Sequence, residues 1–244
     1  MNGKITVDAT KASYYHAPKV GSTRDRLQKW VLQLSYRQYY SMLSRYARLT
    51  VNSSDNLLEI GCGPGYLLSF LEKWFPKIAI TGFEYDQRLI EEAKERVQRT
   101  SFIQGNAEQL PFSDCQFNII VNLHLIEHLY SPEKMLQEVH RVLKPNGCFI
   151  IATPNLGGLG ARVMGEKWSG FREDHVSLKS ADDWSKLIAS CQFYPLLENT
   201  TFLSGIPFFT KFPLGIINYG SLLIFGSFSW KLGEAYIAVW QKKQ

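Results

Sequence analysis

The chain has 244 residues, of which 45% are hydrophobic, and 27 basic residues against 22 acidic ones give it a net charge of +5. This length and composition suit one α/β domain with additions, and the mild basic excess, without a lysine- or arginine-rich run, argues against a nucleic-acid partner. The four cysteines are far apart and lack metal-ligand spacing, which predicts reduced, structural residues.

The N-terminal region, residues 1–50, is predicted to be an arm with cap helices. Its first 25 residues are polar and irregular and lack the apolar run of a signal peptide, so we expect a cytoplasmic protein. From Asp25 to Leu49, apolar and aromatic residues recur at steps of three and four. This periodicity predicts one or two amphipathic helices.

Three closely spaced glycines, Gly61, Gly63 and Gly65, follow the apolar run 57–60 and precede an apolar helical start at Tyr66. The order predicts a strand, a tight turn and a helix, with backbone that a ligand can approach closely. The dinucleotide fingerprint is G-x-G-x-x-G, whereas here the third glycine comes one residue early and a proline intervenes. A nicotinamide site is therefore a poor match.

The second predicted strand, Ile78 to Phe83, ends at the acidic residue Glu84. A carboxylate there, a little over 20 residues after the glycines, is placed to accept hydrogen bonds from both ribose hydroxyls of an adenosine. Tyr85 is placed to stack on the adenine or cover it. Asp86 is predicted to cap the next helix, residues 88–98, so Glu84 is the candidate for the ribose.

The third strand is predicted at residues 101–104, and the fourth at residues 117–121, which are apolar apart from Asn118. After the fourth strand the chain reads Asn-Leu-His-Leu-Ile-Glu-His, residues 122–128. His124 and His128 are one helical turn apart, a spacing that suits a metal ion. No third ligand is near them in the sequence, so no metal is predicted and His128 is expected to pack in the helix.

A helix is predicted to begin at Pro132 after the capping residue Ser131, and the fifth strand follows at residues 148–152. Strand and helix have then alternated often enough to require a doubly wound, parallel sheet. In such a sheet the ligand lies at the carboxyl edge of the strands.

Four features together resemble the class I S-adenosylmethionine-dependent methyltransferases. They are Glu59 two positions before the first glycine, the G-x-G-x-G loop, the segment Gly105–Phe112 and the turn Leu143–Gly147. The resemblance covers residues 55–155. It implies an α/β fold with a doubly wound, mostly parallel seven-stranded sheet in residues 51–244, and S-adenosylmethionine as the cofactor.

The same resemblance implies which residues bind the cofactor: Glu59, Gly61, Cys62, Gly63, Gly65, Tyr66, Glu84, Tyr85, Asn106, Ala107, Glu108, Asn122 and Leu123. Many relatives carry aspartate at the position of Asn106, where it accepts a hydrogen bond from the adenine amine. The amide oxygen of Asn106 can accept the same bond. Cap helices in this family often fold over the cofactor, so Tyr14, Tyr15, Tyr39 and Tyr40 are candidate lid residues, with simple packing as the alternative.

Residues 156–234 are predicted to form the acceptor side, with a flexible loop at the glycines 157–160 and a helix that Ser180 caps. Some small-molecule methyltransferases have a similar Asp-His segment near the transferred methyl group. By this resemblance His175 is the candidate general base and Asp174 its orienting acid. The alternative is that His175 only fixes the loop by hydrogen bonds.

Residues 202–230 are strongly apolar, and no residue between Lys211 and Lys231 is charged. Proline, asparagine, serine and glycine residues dilute the run too much for a membrane span. The closing run, 235–240, is predicted to be the last strand, which confines 202–230 to an insertion beside the active site. We expect about half of it to pack into the domain core and the rest to contact the inner membrane face, with a lid over the site as the alternative.

The resemblance therefore implies methyl transfer from S-adenosylmethionine, and we expect a small, lipophilic or aromatic acceptor. A non-catalytic protein that only binds the cofactor is the first alternative, and a nucleotide-dependent oxidoreductase is the second. The identity of the acceptor and the oligomeric state stay open.

Overall fold

The computed structural model describes residues 18–50, 52–201 and 227–243. The helices are α1 (Thr23–Arg45), α2 (Tyr66–Trp74), α3 (Gln87–Lys94), α4 (Pro132–Val142), α5 (Leu159–Met164) and α6 (Ala181–Ser190), with 3₁₀ helices at Ile126–His128 and Gly165–Lys167. The strands are β1 (Asn56–Ile60), β2 (Ala79–Glu84), β3 (Ser101–Gln104), β4 (Phe117–Leu123), β5 (Leu143–Pro154), β6 (Phe193–Thr200) and β7 (Ala235–Lys242).

The seven strands form one sheet in the order β3-β2-β1-β4-β5-β7-β6. All pairs are parallel except those of β7, which runs antiparallel to both β5 and β6. The predicted α/β fold with a mostly parallel seven-stranded sheet is confirmed. The strand order reverses between β1 and β4, so the crevice that binds ligands in doubly wound folds opens at the carboxyl ends of these two strands.

Helices cover both faces of the sheet because its central strands are apolar on both sides. One core cluster joins the sheet to α4 and α6, and Trp184 and Trp240 are its largest buried side chains. The other cluster joins the opposite face to α1 and α2 through residues such as Leu43 and Leu68. This three-layer packing fixes the strand ends that carry the candidate site.

Several predicted boundaries shift in the structure. The helix expected over residues 88–98 ends at Lys94, because the N–H groups of Arg96 and Val97 both donate to Ala93 O in a tight turn. Ser131 precedes α4 as expected, but its side chain makes no capping hydrogen bond. The register of β4 and β5 jumps from Phe117–Leu143 to Ile119–Cys148, so the expected turn before the fifth strand is an irregularity within β5.

The glycine-rich segment 157–160 does not form the predicted flexible loop, because it leads directly into α5. A Cβ on Gly160 would lie 2.4 Å from the Glu234 carboxylate. The absence of a side chain thus serves close packing, and Gly160 N donates to Glu234 Oε1. Ser180 caps α6 as predicted and accepts from Asp183 N.

The membrane-contact prediction concerns residues 202–230, of which 202–226 lie outside the described residues, as do Tyr14 and Tyr15. Among the helices that the structure describes, none combines the length and apolar character that a membrane span requires.

Candidate active site

The loop between β1 and α2 takes the conformation that its glycines allow. Gly61, Gly63 and Gly65 have φ values of 74°, 50° and 79°, which side-chain-bearing residues rarely adopt. A Cβ on Gly61 would lie 2.9 Å from Leu125, whereas a Cβ on Gly63 would meet nothing within 4 Å. The loop is therefore packed on one side and leaves space at Gly63 that a bound ligand can fill.

Glu84, at the end of β2, joins this loop to the second strand. Its Oε2 accepts from Gly63 N at 2.9 Å, and its Oε1 accepts from Tyr85 N at 2.8 Å and Asp86 N at 3.1 Å. A carboxylate has about four lone-pair positions, so room remains for a hydroxyl donor. Asp86 caps α3 as predicted, by accepting from Arg88 N, and the Tyr85 side chain is half exposed beyond the strand.

Two buried acceptors lie beneath the loop. Glu59 is 4% exposed, and Asn122 is fully buried and donates from Nδ2 to Ile60 O at 2.9 Å. Glu59 Oε2 and Asn122 Oδ1 find no hydrogen-bond donor within the described part of the chain. Burial, reinforced by the negative charge of Glu84, raises the pKa of Glu59 well above its ordinary value. These oxygens suit a cationic ligand that carries N–H donors.

Asn106, Ala107 and Glu108 follow β3 at the same edge of the sheet. Asn106 Oδ1 accepts from Glu108 N at 2.9 Å, which leaves one lone pair for a further donor. Glu108 Oε1 accepts from Ser131 N and so ties this segment to the start of α4. Cys62 is buried within the glycine loop, and Leu123, the last residue of β4, packs against the core cluster that contains Cys62.

The side chain of Tyr66 differs from its predicted place on the cofactor. Its hydroxyl donates to Asp25 Oδ1 at 3.1 Å, and the Arg96 guanidinium lies 4.5 Å from the centre of its ring. The side chains of Asp25 and Arg96 are 1% and 0% exposed and form an ion pair at 3.4 Å. Arg96 also donates to Pro64 O at 2.9 Å. Tyr66 therefore belongs to a buried contact that attaches α1 to the back of the glycine loop.

The segment after β4 carries a second group of polar side chains. Glu127 is fully buried, and its Oε2 accepts from Thr153 Oγ1 at 2.9 Å. Burial opposes ionisation of Glu127, but the hydrogen bond and charge of His124 outweigh it and lower the pKa of this carboxyl. His128 lies against His175 in an edge-to-face contact with ring centres 4.7 Å apart.

Asp174 does not orient His175 as the sequence predicted. Its carboxylate pairs with Arg172 at 3.0 Å and lies 3.4 Å from His128 Nδ1. The ring of His175 is held instead by its Nδ1 on Gly170 O, at 2.8 Å. Burial lowers the pKa of His175, against the opposing hydrogen bond to Gly170.

Asn155 and Glu234 fix the acceptor side to the sheet. The fully buried Asn155 donates from Nδ2 to Lys231 O and Gly233 O, and its Oδ1 accepts from Gly157 N and Ala181 N. Glu234 accepts from Trp168 Nε1 as well as from Gly160 N. Sequence reasoning missed both anchors, since each joins segments about 70 residues or more apart.

Comparison with known proteins gives one matching family model, described as a methyltransferase domain, over residues 58–151. A curated protein of Mycolicibacterium smegmatis, named "probable S-adenosylmethionine-dependent methyltransferase", is 33% identical over 100 residues, which is 41% of this chain and 38% of that protein. A fatty-acid O-methyltransferase of the same organism is 32% identical over 143 residues, or 56% of this chain and 49% of the relative. The chain thus spans less than half the length of both relatives.

Among solved structures, an S-adenosylmethionine-dependent methyltransferase from Thermotoga maritima superposes with a TM-score of 0.60. The match covers 90% of this chain and 95% of that one at 20% sequence identity. At this identity the likeness concerns the fold alone. The matched family residues, 58–151, include the last three residues of β1, the glycine loop, Glu84 and the segment after β4.

Proposed function

We propose that this chain is a class I S-adenosylmethionine-dependent methyltransferase that transfers a methyl group to a small acceptor, with support from the methyltransferase-domain model that matches residues 58–151. The observation that carries the proposal is the open space at Gly63 beside the carboxylate of Glu84. The residues around it fit S-adenosylmethionine, because Glu84 offers an acceptor for ribose hydroxyls. The unsatisfied oxygens of Glu59 and Asn122 suit the ammonium group.

Bound S-adenosylmethionine supplies a methyl group activated by its sulfonium, so no covalent protein nucleophile is required. The contribution of the chain is alignment. The glycine loop and Glu84 hold the nucleoside end, and the segment after β4 places the acceptor at the same edge of the sheet. Holding both reactants in line replaces an encounter in solution by a step within one complex.

Gly63→Val is expected to abolish cofactor binding, because its side chain fills the space where the ligand approaches the loop. Titration calorimetry with S-adenosylmethionine measures this, and product analysis by mass spectrometry over a panel of acceptors measures transfer. Gly165→Val is the matched control, since Gly165 also has a positive φ of 53° and open space around its Cβ. Equal binding by both variants and the unmodified chain would place the cofactor elsewhere, and binding without any product would favour the non-catalytic alternative.

We propose further that the acceptor is lipophilic and is reached at a membrane surface. Support comes from three exposed apolar residues of α1, Leu27, Trp30 and Val31, which are spaced to share one helix face. The apolar composition of residues 202–230 and the name of the fatty-acid relative point the same way. Exposed apolar groups of this kind mark contact with other apolar surfaces.

Sedimentation with vesicles of anionic phosphatidylglycerol tests the membrane proposal. The unmodified chain is expected to sediment, and a variant with polar residues in place of Leu27, Trp30 and Val31 is expected to stay largely in solution, since each buried apolar side chain contributes about 1.5–3 kcal/mol. A second variant makes residues 222–225 polar. Tyr194→Ser, which removes an exposed aromatic from β6, is the control. If the unmodified chain does not sediment, the proposal fails.

A further inference from the structure

Three side chains that could hold a metal ion meet on the acceptor side. Glu127, His128 and His175 each offer one ligand atom, and these atoms all lie within 4.8 Å of one another. The sequence prediction of no metal relied on the absence of a third ligand near His124 and His128. The fold instead brings His175, 47 residues after His128, to His128 and its sequence neighbour Glu127, and His124 is not one of the three.

The hydrogen bonds of the two histidines select the nitrogen that can bind an ion. His128 Nδ1 lies 2.9 Å from Asp174 O, and His175 Nδ1 lies 2.8 Å from Gly170 O. A carbonyl oxygen only accepts, so each Nδ1 carries the hydrogen and the lone pair of each neutral ring is on Nε2. Metal-binding histidines commonly have this arrangement, because the outer hydrogen bond fixes the tautomer and the ring orientation.

The carboxylate of Glu127 is positioned by neighbours that leave it able to bind. Thr153 Oγ1 donates to Oε2, and His124 Nδ1 lies 3.5 Å from Oε1. Each oxygen retains a lone pair after these contacts. A fully buried acid beside two imidazoles, with outer hydrogen bonds on all three groups, has the composition of a two-histidine, one-carboxylate metal site.

We propose that Glu127, His128 and His175 bind a divalent transition-metal ion such as Zn²⁺. Ligand atoms about 2.1 Å from a tetrahedral ion lie about 3.4 Å apart, so no pair has to close by more than about 1.4 Å. Both rings are only half-buried and can rotate to do so. Three protein ligands leave at least one coordination position open, as in catalytic zinc sites.

The site lies close to the glycine loop, because Leu125, two residues before Glu127, packs against Gly61. An oxygen of the acceptor would fill the open position, and the bound ion would lower the pKa of an acceptor hydroxyl. The binding of the acceptor to the ion rests on the proposed function, and it restricts the acceptor to molecules with a metal-binding oxygen. His175 then acts as a ligand instead of a general base.

Metal binding is measured on tag-free full chain that has been stripped with a chelator, by calorimetry with Zn²⁺ and by the visible absorption of Co²⁺. One ion per chain is expected, and the absorption spectrum should be that of a Co²⁺ ion with a low coordination number. Because loss of an outer-shell partner alone costs 10–100-fold in affinity, His128→Ala and His175→Ala should weaken binding by more than about 100-fold. His140→Ala is the control, since His140 packs edge-to-face on Phe193 in the core, away from the three ligands.

Equal affinity in the two ligand variants and the control would overturn the site. Acetohydroxamic acid, a bidentate oxygen ligand, should alter the Co²⁺ spectrum of the protein, and an unchanged spectrum would overturn the assignment of the acceptor oxygen. Binding of S-adenosylmethionine to the metal-free chain is measured in parallel. If the cofactor binds but no metal does, only this inference fails; if metal binds but the cofactor does not, the proposed function fails and the metal site stands.

Discussion

Glu84→Ala is expected to weaken the binding of S-adenosylmethionine by at least about 100-fold. Hydrogen bonds to a charged group contribute about 1.5–3 kcal/mol, so loss of the ribose contact alone accounts for about 10–150-fold. Glu84 also accepts from Gly63 N, and without it the glycine loop is attached to β2 only through the bonds from Gly61 N and Cys62 N to Phe83 O. The two effects act together on the same ligand. Titration calorimetry gives the dissociation constant.

Asp86→Ala is the matched control for this experiment. Asp86 is an acid two residues away, but its carboxylate caps α3 and pairs with the exposed Arg88. Its loss should cost about 1 kcal/mol of stability and leave the cofactor affinity almost unchanged. If Glu84→Ala binds the cofactor as tightly as the control variant, Glu84 does not contact the ribose.

Asp25→Ala should lower the free energy of unfolding by about 3 kcal/mol. Breaking a buried ion pair by removing one partner typically costs about 3–5 kcal/mol, because the remaining charge loses its compensation. The low end applies here, since Arg96 keeps its bonds to Pro64 O, Glu92 O and Pro18 O. For a chain of this size the melting temperature should fall by roughly 6–12 °C, as measured by calorimetry or circular dichroism.

Lys29→Ala tests whether burial is the cause of that loss. Lys29 pairs with the same carboxylate at 3.3 Å, but its side chain is partly exposed, and such pairs contribute about 0–1 kcal/mol. A similar loss of stability in both variants would contradict the role given to the Asp25–Arg96 pair. Because Arg96 also contacts the glycine loop, Asp25→Ala should weaken cofactor binding as well, whereas Lys29→Ala should not.

The elements that the sequence predicted best are those with strong local patterns. The glycine loop, β3 and the helix that Ser180 caps match their predictions closely, since glycine spacing, apolar runs and capping residues are local signals. The doubly wound sheet followed from the alternation of these elements. Helix ends were less accurate: α3 ends at Lys94 in a turn on Ala93 O, and no glycine or proline marks that end in the sequence.

The residues of the candidate site also differ in how far local sequence patterns indicate them. Residues attached to strand ends, such as Glu59 and Glu84, could be named from their position in the sequence. The attachment of Tyr66 to Asp25, the pairing of Asp174 with His128 and the approach of His175 to His128 could not. These contacts join segments 30 to 50 residues apart, and no periodicity or short motif records which of them meet in space.

The strands β6 and β7 close the base of residues 201–234. Thr200 and Phe228 exchange two backbone hydrogen bonds of 2.8 Å, just where β6 ends. The cost of closing a flexible loop on a fixed base rises by only about 0.6 kcal/mol for each doubling of its length. A change in the length of the chain between Thr200 and Phe228 is therefore expected to cost the sheet little. Under the proposed function, this part of the chain can vary without disturbing the glycine loop, because β4 and β5 separate β7 from β1 in the sheet.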